Sequence, residues 1–419
     1  LYPITTGEWN FSVRDNTQNN AMYSIVSAPF AVGTTNVAGQ NLTAASGWTG
    51  TGYSTTAGSR AAGPFAILDA VYSSYTKVLA VAPNQIFPPL DLFWSINNKP
   101  VAGNLAAGEI STSFFRSDSQ GNRAIYILGA ENTDTDEYDV SVVAHEWGHY
   151  FQNAFSRDDS VGGEHSGGQF LDMRVAFSEG WGNAWSGMAL GIPYYADSRG
   201  TRQQSGFRID LTQPVAQVSS PGWYKEDSIQ YILYSLHEQV GFAPIWQTMS
   251  GTMRGGTATT SMHAFAKNFN VVAAANSASL NTLLSGQRIG TGLNECGTGE
   301  TNAGSVASSV PIYRALTVGQ SQQVCMSSAA GTPNKLGNFV YFGFTTPATR
   351  QYTISVTNGP AGSDPDFELY QRGFLGGGFG TASGSETAVS TLQAGEVVLV
   401  VSDANLAAGQ APCFTVLVQ

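Results

Sequence analysis

The chain is 419 residues long, enough for two or three domains with apolar cores of their own. Charged residues are 12% of it, against roughly 25% in an average soluble protein, and 48 glycines among many Ser, Thr, Asn and Gln give a polar, weakly charged surface. A net charge of -11 repels nucleic-acid phosphates and anionic membranes, and no apolar run reaches the ~18 residues of a bilayer span, so neither nucleic acid nor membrane is expected as a partner.

Residues 8–100 alternate short strand-like stretches with Gly/Ser/Thr-rich turns, broken by one helix predicted over 65–81, where Ile67, Leu68, Val71, Tyr72, Tyr75 and Leu79 recur at helical spacing. Apolar stretches at 90–96 and 124–128 read as sheet strands bordering a cleft. An acidic run, Asp134, Asp136, Glu137 and Asp139, then precedes a change to helical patterning. Its alternate carboxylates could hold Ca²⁺; the competing reading is a solvated loop whose last member caps the next helix. Helices are expected to begin near Asp139, Ala176 and Glu226 and to continue over 261–269 and 279–284. Residues 297–310 almost lack large apolar side chains and read as a flexible linker. Beyond it, strands are expected at 313–317, 322–326, 339–344, 351–356, 367–370, 397–401 and 414–418, with Gly-rich turns between them, the pattern of an all-β sandwich. The division expected is a mixed α/β part at 1–138 and a helical part at 139–296 of one unit, a linker at 297–310 and a sandwich at 311–419.

Cys296, Cys325 and Cys413 include no CxxC, which disfavours a thiolate metal site. Cys325 and Cys413 lie in strand-like stretches near the two ends of the C-terminal region, so their pairing is the first choice and Cys296 with Cys325 the rival. The chain opens at Leu1 with neither an initiator Met nor a charged, apolar leader, which reads as removal of a signal peptide and propeptide, hence export.

The chemistry is concentrated in VVAHEWGHYFQ, where His145, Glu146 and His149 form an HExxH motif with Asp139 as the expected N-cap. Histidines four residues apart project from one helix face and can share a Zn²⁺, while Glu146 sits beside the metal, where a base must be to deprotonate the attacking water. Two of only five histidines fall in this motif. Thirty positions after His149, VAFSEGWGNAWSG places Glu179 on a second helix, completing a His₂Glu ligand set, and Asn183 one turn on, where it could orient a ligand imidazole.

HEWGH followed at this distance by SEGWGN resembles the gluzincin metallopeptidases, with a spacing more similar to fungalysins and clostridial collagenases than to thermolysin. That resemblance, over roughly residues 124–240, implies an α+β zincin-like catalytic domain with His145, His149 and Glu179 as zinc ligands and Glu146 as general base. Asn183 stands where thermolysin-like enzymes and fungalysins usually carry Asp. The resemblance also implies a donor for the developing oxyanion; Tyr224, just before a helix, matches the place of the catalytic Tyr of zinc aminopeptidases, with Tyr231 and His237 as alternatives and His165 as a cleft-lining residue. It implies, too, that substrate pairs with an edge strand, for which 124–128 is the candidate. The QYTISVTN, DPDFELY and LQAGEVVLVV stretches resemble the bacterial pre-peptidase C-terminal domain.

The function expected is therefore an exported zinc endopeptidase acting on protein or peptide substrates. A zinc aminopeptidase is the nearer alternative, since the run from Gly129 to Asn132 partly resembles an exopeptidase motif. The farther one is a surface adhesin or glycan-binding protein with a vestigial zinc site. Substrate specificity and oligomeric state are not legible.

Overall fold

The computed structural model describes residues 9–419 apart from 32, 57 and 382. The fold is mixed α/β, with seven α-helices and four sheets among the described residues. The chain divides into two compact units, Leu1–Ala154 with Trp185–Asp210, and Phe155–Ala184 with Leu211–Gln419.

In the first unit, strands β1 (Phe11–Asp15), β2 (Ala21–Met22), β3 (Leu90–Trp94), β4 (Phe114–Ser117) and β5 (Arg123–Ile127) form a sheet of order β2-β1-β3-β5-β4. Helix α1 (Gly63–Leu79) starts on Pro64, whose fixed φ suits a first turn, and buries Ile67, Ala70, Val71 and Val78. Strand β5 pairs in parallel with β3 and antiparallel with β4, so the 124–128 stretch is an interior strand and not the substrate-accessible edge expected for it. The edge on this side of the sheet is β4, whose four residues, FFRS, are too few to stand out from their Gly/Ser-rich surroundings. Two short strands, β6 (Gly129–Ala130) and β7 (Asp134–Thr135), lead to helix α2 (Val140–Phe155).

Helix α3 (Met173–Leu190) runs unbroken and is followed by a hairpin, β8 (Tyr194–Arg199) and β9 (Ser205–Asp210), which the sequence reading missed because YYADSR and SGFRID alternate no clear apolar face. The hairpin extends a second sheet of order β6-β7-β8-β9. Within this unit Trp147 of α2 stacks on Trp185 of α3 with ring centroids 5.3 Å apart, both rings fully buried.

The second unit adds α4 (Glu226–Val240), α5 (Phe242–Gln247), α6 (Met262–Val272) and α7 (Ser277–Gly286). Helix α6 is capped by Ser261, whose Oγ accepts from the Ala264 amide at 3.1 Å. Residues 297–310 are pinned rather than loose: Glu300 Oε2 lies 2.9 Å from His263 Nε2, and Asn302 accepts from both Trp223 and Tyr224. From there the described chain is strands and turns: β10 (Tyr313–Ala315), β11 (Gln322–Cys325), β12 (Val340–Thr346), β13 (Arg350–Thr357), β14 (Pro365–Tyr370), β15 (Phe374–Gly378), β16 (Glu386–Leu392), β17 (Gly395–Asp403) and β18 (Cys413–Val418). They form sheets of order β10-β12-β17-β14-β15 and β11-β18-β13-β16, whose inward residues, Phe342, Leu369 and Leu399 with Ile354, Val356 and Phe414, share one buried cluster. Strands β15 and β16 were not expected, the first because it is glycine-rich and the second because its buried positions are few. Cys325 and Cys413 face each other across β11 and β18 and are joined by a disulfide, leaving Cys296 free.

Candidate metal centre

Helix α2 carries His145 and His149 one turn apart, with their Nε2 atoms 3.1 Å from each other. Two ligands of a tetrahedral zinc at about 2.0–2.1 Å stand about 3.3 Å apart, so the pair is already near ligating separation. The carboxylate of Glu179 joins them: one donor atom from each of the three residues lies within 4.8 Å of the others. Two imidazole nitrogens and one carboxylate oxygen are the donor set that a catalytic zinc takes while keeping one position open. His145 and Glu179 are each 8% exposed, with His149 somewhat more open.

Glu146 is likewise 8% exposed and held from β4, where the Phe115 amide donates to its Oε2 at 2.8 Å. Glu146 and the β4 edge are thereby tied together. On the other side of His145, the Tyr195 ring of β8 packs edge-on at 5.7 Å. Asp139 precedes α2 as expected and its backbone oxygen accepts from Val142 and Val143, but its carboxylate does not cap the helix; both its oxygens accept from Ser198.

Gly180, next to Glu179, sets the approach of α4: a Cβ there would stand 2.7 Å from Ile229 Cβ and 2.9 Å from the Glu226 carbonyl oxygen. That closeness brings the side chain of Glu226, which in the sequence marked only the start of a helix, beside His165. His165 Nε2 lies 3.3 Å from Glu179 Oε2 and 3.6 Å from Glu226 Oε2, and its Nδ1 is 3.1 Å from the Gly163 carbonyl oxygen. Desolvation alone would lower the His165 pKa, but the Glu179 and Glu226 carboxylates outweigh it and push it up to about 9. Burial raises Glu226 to about 7, with His165 opposing and Glu179 adding to the rise. The loop carrying His165 is fastened at several points, by Asn334 Nδ2 donating to the Gly162 oxygen, Lys335 Nζ to the Glu164 oxygen and Lys225 Nζ to the Gly168 oxygen.

Asn183 is buried, and its Nδ2 donates to Gln230 Oε1 at 2.8 Å, tying α3 to α4 one turn beyond Glu179. Tyr224 departs from expectation. Its ring is fully buried against Phe170, and its hydroxyl donates to Asn302 Oδ1 at 2.9 Å. The GWY run is a packing anchor. Tyr231 and His237 both lie within α4, and His237 is among its last-turn residues. His165 had a detectable signal, a histidine in a Gly-rich loop between α2 and α3, but no periodicity to place it.

No family model matches the chain. No curated protein matches it either. Similar solved structures include the pre-peptidase C-terminal domain of a collagenase from Bacillus anthracis (12% identity, 26% of this chain and 94% of that one, TM-score 0.21). Others are the precursor of protealysin, a metalloproteinase from Serratia proteamaculans (8%, 68% and 89%, TM-score 0.38), and PliG, a periplasmic inhibitor of g-type lysozyme from Aeromonas hydrophila (16%, 26% and 96%, TM-score 0.19).

Proposed function

We propose that the chain is an exported zinc-dependent endopeptidase, with His145, His149 and Glu179 as the ligands and Glu146 as the general base. The convergence of those three donors beside a carboxylate held from a sheet edge carries this reading. When bound there, zinc supplies Lewis-acid polarisation of a peptide carbonyl and lowers the pKa of a water molecule. Glu146 takes that water's proton as its oxygen bonds to the carbonyl carbon, and returns a proton to the amide nitrogen as the C–N bond breaks. Substrate backbone runs along β4, the open edge, and its main-chain groups supply affinity that depends little on side-chain identity. His165, whose Nε2 lies 3.3 Å from Glu179 Oε2, takes the part first expected of Tyr224, donating to the oxyanion. Residues 311–419 act as a β-sandwich domain, and their disulfide suits an oxidising compartment.

Metal content and casein cleavage of the wild type beside Glu146→Gln test the reading. One zinc per chain in both, with turnover lower by about 10²–10⁴ in the variant, is expected. Wild type that binds no zinc, or a variant as active as wild type, overturns it.

A further inference from the structure

A second group of acidic side chains lies in the first unit, away from the proposed ligands. Asp134 on β7, Asp136 in the turn leading to α2, and Asp197 on β8 each bring a carboxylate oxygen within 4.8 Å of the other two. Such a gathering means nothing on a solvated surface, but this one is enclosed. Asp136 is 3% exposed, and Oδ1 of all three residues is buried with no hydrogen-bond partner among the described residues. Oδ2 of Asp136 accepts from the hydroxyl of Ser113, and a side-chain hydrogen bond links Asp134 with Asp136. A buried carboxylate oxygen without a donor is costly, and three facing one another compound desolvation with like-charge repulsion.

The neighbouring groups do not relieve this. Arg199 pairs through its backbone with Asp134 and attracts both Asp134 and Asp197, yet it brings one positive charge to three carboxylates. Asp139 adds a further negative charge and spends its own oxygens on Ser198. Glu137, counted with this run in the sequence, is not available: it is fully buried in an ion pair with Arg60 and accepts from Trp94 Nε1. Burial first and mutual repulsion second raise Asp134 to about 6 and hold Asp136 well above the usual carboxylate range.

We propose that Asp134, Asp136 and Asp197 bind a divalent cation of the calcium class, clamping the segment that enters helix α2 to the β8 strand. Oxygen ligands at about 2.3–2.6 Å from one Ca²⁺ lie at most about 5 Å apart, which the observed grouping satisfies without rearrangement. Two positive charges together with Arg199 balance three carboxylates. The wholly oxygen donor set, with no imidazole or thiol, favours Ca²⁺ over zinc. Because Tyr195, two residues before Asp197, packs on the ring of His145, the clamp bears on the position of that histidine through β8.

The test is calorimetric titration of the full chain, dialysed into calcium-free buffer, with CaCl₂ or MgCl₂, and thermal unfolding run in parallel. Wild type is expected to take up one Ca²⁺ per chain with a Kd of about 1 mM or tighter and to melt several degrees higher with it. Asp136→Asn and Asp197→Asn should each bind at least tenfold more weakly; Asp197 is only part-buried, so its variant serves should Asp136→Asn not fold. Absence of a calcium response in wild type overturns the proposal, as does equal binding in wild type and variants. A response matched by Mg²⁺ overturns the calcium assignment. None of these readouts depends on peptidase activity or on the His₂Glu site.

Discussion

Gly180→Ala sets two effects of opposite sign against each other. Alanine improves intrinsic helix propensity by about 0.8–1.0 kcal/mol, so on an exposed face the change would stabilise. At this position the added Cβ would stand 2.7 Å from Ile229 Cβ and Cγ2 and 2.9 Å from the Glu226 carbonyl oxygen, about 0.5–0.7 Å inside ordinary contact at 3.4 Å. The obstacles are a branched side chain at its root and a backbone atom, so neither yields by a rotamer change. Overpacking of this kind costs about 1–3 kcal/mol, which leaves a net loss of about 1 kcal/mol and a melting temperature lower by about 2–4 °C. Separating α3 from α4 also disturbs Glu179, the adjacent residue, and about tenfold weaker zinc affinity is expected. Scanning calorimetry and competitive zinc titration measure both. A variant that melts higher than wild type and keeps its zinc affinity would refute the view that the helix approach at Gly180 holds the site.

Four further outcomes are expected. Arg174→Met removes a fully buried guanidinium that pairs with Asp172 and with Glu368 at 2.6 Å; leaving those carboxylates without it should cost about 3–5 kcal/mol by denaturant titration. Cys413→Ser opens a bridge between residues 88 apart in sequence and should cost about 2–5 kcal/mol while leaving zinc content unchanged. Burial pushes Glu300 up, but His263 and the Asn302 and Gly290 amides outweigh it and hold it at about 2, below its ordinary 4.5. A carboxylate depressed by folding contributes stability in full above its unfolded pKa and loses it as pH falls through the folded one, so melting temperature should drop between about pH 4.5 and 2, less steeply in Glu300→Gln. Lys335→Ala frees one fastening of the His165 loop and should lower kcat/KM about tenfold or more in a casein assay with zinc retained.

The parts of the site legible in the sequence are those written at helical spacing. His145, Glu146 and His149 lie within one turn of a single helix, and Glu179 declares itself by standing in an apolar helix between small and aromatic neighbours. The Cys325–Cys413 pairing was legible because both cysteines fall in strands. What was not legible depends on long-range pairing. Asp197 reaches Asp134 and Asp136 only because β8 joins β7, and the open edge is β4 only because β5 is flanked on both sides. The burial of Tyr224 was not legible because its partner, Asn302, lies 78 residues away in a stretch whose composition resembles a linker.

Arg174 sits five positions before Glu179 on the same helix, and its partners Glu368 and Tyr370 belong to β14. Just ahead of it, Leu171 bridges to Lys335, and the Asp172 amide donates to the Asn334 oxygen. A module hung on a tether can be shed or exchanged without the rest of the chain registering its loss. Proteolytic removal of the C-terminal strands would instead strip the guanidinium of an acid, unfasten the His165 loop and loosen the first turns of the helix that bears Glu179. On the proposed function, a cut in the 297–310 segment would therefore act as an off-switch unless the severed piece stays bound, and grafting these strands onto another protein would leave their partners behind.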